Sequence, residues 1–287
     1  MNWQGINEFV AVAETQSFSL AAKNLAISTA QVSRQVSALE KRLQVKLFYR
    51  TTRKVSLTQE AQLFYQHCRH LLDGLETAEQ AITNLQRNPQ GKIKLSVPVT
   101  YGEQKILPLV NDFVALYNEI EVTTELNNNR VDLVDGGFDL AIRLGQLQDS
   151  SLIAKQLSQR SNYVCVSEGY IKKHGQPHSL SELKHHNCLL GTRDYWRFKE
   201  QDKEKNIRVK GNIRCNSGVA LVDAAIKGIG IVQLPDYYLH SYIESGKLVT
   251  ILDQFREPAE GIWAVYPQNR YLSPKIRLLI EYLAEHL

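Results

Sequence analysis

From Ala61 to Leu85 the apolar residues Ala61, Phe64, Cys68, Leu71, Leu75, Ala78, Ile82 and Leu85 recur at alternating spacings of 3 and 4 without a break. The seam predicts one helix of about 30 residues running from Thr58, on the order of 45 Å long at roughly 1.5 Å per residue. A helix packed on its own body usually shows a wider apolar stripe, so this one is expected to pair with a second copy of the chain. It divides the sequence into a head (1–58), a linker helix (59–87), a hinge at Asn88-Pro89-Gln90-Gly91 (88–91), whose residues favour turns, and a body (92–287). Cys68, inside the seam, reads as a small buried apolar residue. His67 and His70 lack a third ligand and do not read as a metal site.

The head is basic. Eight Lys/Arg face three acids in residues 1–58, a net +5, and the whole chain carries +4, so the rest is close to neutral. Such asymmetry points to an anionic partner for the head, most commonly nucleic acid. Ile6, Phe9, Val10, Val12 and Ala13 make the stripe of a first helix, ending at Thr15-Gln16. Ser19 is the expected cap of a short second helix over Leu20–Leu25. Ser28 and Gln31 form a capping box for a third, with Val32, Val36, Leu39 and Leu43 on its buried face. Its other face carries Ala30, Gln31, Ser33, Arg34, Gln35 and Ser37. Arg is suited to guanine and Gln to adenine, and small residues permit close approach to a major groove. The basic β-type stretch from Arg50 to Leu57, with Arg53 and Lys54, suits a wing that grips phosphates.

The run Ala21-Ala22-x-x-Leu25-x-x-Ser28-x-x-Gln31-Val32-Ser33-Arg34-Gln35-Val36-x-x-Leu39-Glu40, followed by Leu47-Phe48-x-Arg50-x-x-Arg53-x-Val55-x-Leu57-Thr58, resembles the winged helix-turn-helix of LysR-type transcriptional regulators. It departs from that pattern at Ala30, where the family usually has proline nearby, and at Gln44 and Ala61, where it usually has glycine. The resemblance implies double-stranded DNA as partner, with Ser28, Thr29, Ala30, Gln31, Ser33, Arg34, Gln35, Arg50, Arg53 and Lys54 at the interface. It also implies a homodimer or homotetramer joined through the linker helix, usually antiparallel.

Beyond the hinge, β-branched runs alternate with helical stretches, the pattern of an α/β fold. Strands are expected at 93–97, 121–126, 138–144, 163–166, 188–190, 207–209 and 230–232, and helices near 102–117, 217–227 and 273–286. Phe138-Asp139-Leu140-Ala141-Ile142-Arg143-Leu144-Gly145 and Gly228-Ile229-Gly230-Ile231 resemble the effector domain of the same family. By that resemblance the body is a periplasmic-binding-protein-like pair of lobes, about 92–161 with 268–287, and about 162–267, with a small-molecule effector in the cleft between them. Helix starts and loop amides suit anions, so Thr100, Tyr101, Gly102, Asn127, Asn128, Arg143, Asn216 and Ser217 are the effector-binding candidates.

No catalytic or cofactor-binding set stands out. Gly228-x-Gly230 lacks the third glycine of a dinucleotide fingerprint, and neither a P-loop nor a G-x-S-x-G is present. His185-His186 reads as a solvated turn. The four cysteines match no zinc or disulfide framework, and the start Met1-Asn2-Trp3-Gln4 has no secretory pattern, so a cytoplasmic, non-enzymatic regulator with reduced thiols and no membrane span is expected. The alternative is a regulator without a small ligand, switched by oxidation of Cys68 or Cys165.

Overall fold

A computed structural model describes residues 3–50, 55–83, 89–129, 131–134, 136–147, 151–268 and 272–287, with the backbone alone at 70, 73 and 76–83. The chain forms two compact units: Met1–Ile142 with Asp149–Lys155 and Ala264–Leu287, and Arg143–Gln148 with Gln156–Trp263.

The first unit opens with three helices, α1 (Ile6–Thr15), α2 (Phe18–Asn24) and α3 (Thr29–Leu43). A pair of short strands follows, β1 (Phe48–Arg50) and β2 (Val55–Leu57), antiparallel with Phe48 opposite Leu57. Phe9 is the centre of the head core: it is fully buried, with its ring centroid 5.5 Å from that of Phe48 and 5.3 Å from that of Phe64. Val32, Val36 and Leu39 bury one side of α3 against it. Each such side chain contributes about 1.5–3 kcal/mol on leaving water.

Two details of the head differ from expectation. The cap of α2 is Ser17, whose Oγ accepts the Leu20 N–H at 3.3 Å, and Ser19 lies inside the helix. Phe18 is then the first helical residue and packs against the core. Leu43 is 37% exposed because α3 is about to end, with Gln44 turning the chain at a φ of 57°. That left-handed conformation is where the family resemblance expects glycine.

The linker helix is α4 (Gln59–Thr83). Its seam divides. Ala61 and Cys68 are buried in the head core, with Phe64 and Leu72 partly buried against it, whereas Leu71 and Leu75 are 51% and 56% exposed. The near end of the helix therefore packs on its own head, contrary to a seam devoted wholly to a second copy. The side chains of Ala78 and Ile82, and all of Leu85, lie outside the described residues.

The α/β part begins with β3 (Gly91–Val97), then α5 (Val99–Tyr101), a π-helical turn over Gly102–Ile106, α6 (Leu107–Leu116), β4 (Ile120–Leu126), β5 (Leu140–Leu144) and β6 (Leu152–Arg160). Next come β7 (Asn162–Val166), α7 (Glu168–His174), β8 (Tyr195–Glu200), β9 (Lys203–Arg208), α8 (Gly218–Ile226), β10 (Val232–Pro235), α9 (Asp236–Glu244), β11 (Val249–Ile251), β12 (Glu260–Pro267) and α10 (Pro274–His286). One sheet has the order β4-β3-β5-β12-β6, with β3 parallel to both β4 and β5. The second unit holds the antiparallel sheet β10-β7-β11 and the hairpin β8-β9. Of the expected strand 230–232, Val232 opens β10, whereas 230–231 and the expected strand 188–190 supply only isolated bridges, Cys188 to Ile231 and Leu190 to Arg214. Their backbone is satisfied by single neighbours rather than a continuous ladder. The elements α7, α9, β6, β8, β11 and β12 were not foreseen.

Candidate nucleic-acid interface

Helix α3 presents its outer face because its inner face is spent on the core. Ser28 caps it, its Oγ accepting the Gln31 N–H at 3.2 Å, which satisfies one otherwise orphaned amide. Ser28, Thr29, Ala30, Gln31 and Arg34 are exposed, and Ser33 is half-buried. Gln35 differs: its Oε1 is enclosed and has no hydrogen-bond partner among the described residues, so only part of this side chain looks outward. At Gly5 a Cβ would stand 2.6 Å from the Gln35 carbonyl oxygen, and its φ is 87°. A glycine there lets the start of α1 approach α3 closely.

Glu40 sets the route from α3 to the wing. Its side chain is 4% exposed. Oε1 accepts the backbone N–H of Leu47 at 2.9 Å and of Phe48 at 3.4 Å, while Oε2 lies 3.3 Å from Lys46 Nζ and 3.5 Å from Arg50 Nη2. The Arg50 guanidinium also stacks over the Phe18 ring at 4.5 Å. This arginine is thus partly engaged within the head, while its side chain remains 36% exposed. Thr58 closes the wing by donating its hydroxyl to the Lys46 carbonyl at 2.8 Å and accepting the Ala61 N–H at 3.2 Å, which also caps α4. Glu40 and Thr58 both stand in the motif that carries the resemblance, but the sequence assigns neither a role. A polar residue beside Leu39 or before a helix reads as surface until its backbone partners are known. Arg53 and Lys54 lie outside the described residues.

The effector candidates fall in two places. Thr100, Tyr101, Gly102, Asn127 and Asn128 gather in the first unit, at the C-terminal ends of β3 and β4, where Asn128 Oδ1 accepts the Val99 N–H at 3.0 Å. Asn127 Oδ1 accepts the Asn129 N–H at 2.8 Å. Tyr101 is buried, and a Cβ on Gly102 would come within 2.6 Å of Val97 Cγ2. Arg143, Asn216 and Ser217 belong to the second unit. Ser217 caps α8, its Oγ accepting the Ala220 N–H at 3.4 Å.

Burial pushes the Cys68 thiol up to about 11 and the Cys165 thiol to about 12, so both are protonated at neutral pH, the opposite of a reactive thiolate. His186 is not simply solvated: Nδ1 is 3.2 Å from the Tyr170 hydroxyl, and burial lowers its pKa. Among the described residues no group of three or more His, Cys, Asp or Glu is placed to hold a metal, and no helix is long and apolar enough to cross a membrane.

A capped helix presented beside a strand pair, joined by a long helix to an α/β body, defines a winged helix-turn-helix DNA-binding protein with an attached ligand-binding-type domain. Residues 3–62 match the bacterial regulatory helix-turn-helix family of lysR type, and residues 86–287 match the LysR substrate binding domain. An HTH-type transcriptional regulator of Haemophilus influenzae is 35% identical over 275 residues, covering 94% of this chain and 96% of its own. The HTH-type transcriptional activator TtdR of Escherichia coli K12 is 31% identical over 280 residues, covering 96% and 90%. The solved structure of CrgA, a LysR-type transcriptional regulator from Neisseria meningitidis, is similar at 30% identity and a TM-score of 0.62, covering 99% of this chain and 98% of that one. The chain belongs to the LysR family of transcriptional regulators.

Proposed function

We propose that this regulator reads a specific DNA site through Gln31, Ser33 and Arg34 of α3, with Ser28 and Thr29 near the backbone and Arg53 and Lys54 of the wing on phosphates. The supporting observation is the exposure of Gln31 and Arg34 on a helix whose opposite side is fixed by Val32, Val36 and Leu39. Gln35 and Arg50 are secondary contributors, since each is partly occupied within the head. Two copies pair through the apolar stripe of α4 that includes Leu71 and Leu75, bringing two heads to two half-sites. The body responds to a small molecule recognised in part by Thr100, Asn127 and Asn128, at strand ends of the kind where open α/β sheets bind ligands. A ligand shifts DNA binding only as far as its affinities for two arrangements of the protein differ. The setting is the cytoplasm.

The test is fluorescence anisotropy on the intergenic DNA beside the gene, in about 0.15 M salt with excess competitor DNA. Wild type is expected to bind through the competitor. Arg34→Ala should lose about 1–3 kcal/mol, concentrated at one base position, and Lys54→Ala should weaken all sequences alike. Equal losses on every sequence for both variants would remove Arg34 from base readout.

A further inference from the structure

One carboxylate on the first helix touches two other elements of the first unit, α4 and β3. Glu14, in the last turn of α1, has Oε1 3.6 Å from Arg69 Nη1 on α4 and accepts the Tyr65 hydroxyl at 3.4 Å. Its Oε2 is 3.5 Å from Lys92 Nζ on β3. Glu14 and Arg69 side chains are only 22% and 24% exposed.

The two sides of this contact are built differently. Helix α1 and the near half of α4 share one aromatic core, Phe9 lying 5.3 Å from Phe64 and 6.5 Å from Tyr65, so head and linker helix behave as one body. Lys92 stands on the sheet that follows residues 84–88 in the chain. Between head and sheet lies a cavity of about 360 Å³ lined by Glu14, Tyr65, Gln66, Arg69, Lys92 and Asp139. A hollow space gives little close packing to fix an angle, so the directed polar contacts across it carry part of that task. Arg69 and Tyr65 pre-orient the Glu14 carboxylate within the head body, and Lys92 meets it from the sheet.

We infer that Glu14 is a positioning residue whose pairing with Lys92 sets the angle at which head and linker helix are carried on the sheet, and with it the separation of DNA-reading heads in the assembled regulator. The inference rests on the proposed function for its consequence on DNA, but not for the tie itself. A half-exposed lysine makes a weak, salt-screened pair. The tie therefore biases the angle and can be opened by whatever competes for Lys92.

The experiment uses the full chain with Cys215→Ser, spin labels at Lys23→Cys and Glu121→Cys, both exposed positions, and an excess of unlabelled protein so that distances within one chain are read. Double electron–electron resonance should give one dominant distance for the parent. With Lys92→Glu the ratio of the dominant to other distances should fall roughly fivefold, and with Glu14→Gln by a smaller factor. Lys92→Arg should restore the parent distribution, and the thermal midpoint of all variants should stay with the parent. A parent-like distribution in Lys92→Glu overturns the inference, as does a Lys92→Arg that is as broad as Lys92→Glu. DNA anisotropy on the same samples separates the two claims: the expected distances without specific DNA binding leave the tie standing and defeat the functional reading.

Discussion

Glu40 in the head and Glu260 in the second unit are both buried carboxylates, with side chains 4% and 9% exposed, but they are neutralised by different groups. Glu40 takes two backbone N–H groups from residues seven and eight positions along the chain, and its cations are peripheral, Lys46 being 83% exposed. Glu260 accepts Arg160 Nη2 at 3.0 Å and also the Arg197 guanidinium, partners 100 and 63 positions away. Arg197 in turn lies 3.2 Å from Glu257. The first arrangement fixes a local backbone path, the entry to the wing. The second clamps side chains of β6, β8 and β12, elements that only tertiary structure brings together. Peptide dipoles do the work in one and guanidinium charges in the other.

The largest expected effect tests the clamp. Glu260→Ala leaves Arg160 without its carboxylate and Arg197 with Glu257 alone, the two arginine side chains being 16% and 22% exposed, and should cost about 3 kcal/mol in unfolding of the second unit. Urea titration followed by Trp196 and Trp263 fluorescence reads this, and an unmoved midpoint would show that the arginines are solvated well enough without the carboxylate. The same pair predicts a pH dependence. Burial pushes the Glu260 carboxyl up, but Arg197 and Arg160 outweigh it and hold it below the ordinary glutamate range, while burial raises Glu257. A carboxylate with a lowered folded pKa stabilises fully above its unfolded value, about 4.3, and the contribution disappears as pH falls through the folded one. The stability difference between wild type and Glu260→Ala should therefore be constant from neutral pH to about 5 and shrink below that.

Glu40→Ala comes next. It leaves the buried amides of Leu47 and Phe48 without their acceptor, a loss of about 2 kcal/mol, and frees the wing from α3. Specific DNA affinity should fall with it, since α3 and the wing no longer keep a fixed relation. A variant that loses stability in the head but keeps the affinity of wild type would break the link between Glu40 and the interface.

The comparison also explains what the sequence could disclose. The inner face of α3 was legible because Val32, Val36 and Leu39 repeat with the helix period, and the Ser28 cap because its partner lies three residues away. Local signals fail where two serines compete: Ser17 won over Ser19 because Phe18 enters the core as the first helical residue. The seam of α4 gave the helix but not its two environments, since Ala61 and Cys68 face the aromatic core of the head while Leu71 and Leu75 do not. Strand β6, Leu152–Arg160, has a single buried residue, Leu157, and no alternation to betray it. By contrast β8 alternates, with Trp196 and Phe198 buried, and was open to detection. Candidates such as Asn128 and Ser217 were chosen for chemistry that also serves capping and loop closure, and the hydrogen bonds they make here are of that kind.

The smallest effect isolates the source of the Glu40 energy. If the carboxylate is stabilised mainly by the Leu47 and Phe48 amides, Lys46→Ala should change head stability by less than about 0.5 kcal/mol, because its ammonium is largely in water and screened by salt. Arg50→Ala should cost somewhat more, since it loses the Phe18 stacking as well as the ion pair. Chemical denaturation of the three variants orders them as Glu40→Ala, Arg50→Ala, Lys46→Ala. A Lys46→Ala loss equal to that of Glu40→Ala would place the energy in the ion pair and make the head a clamp of the same kind as the one around Glu260.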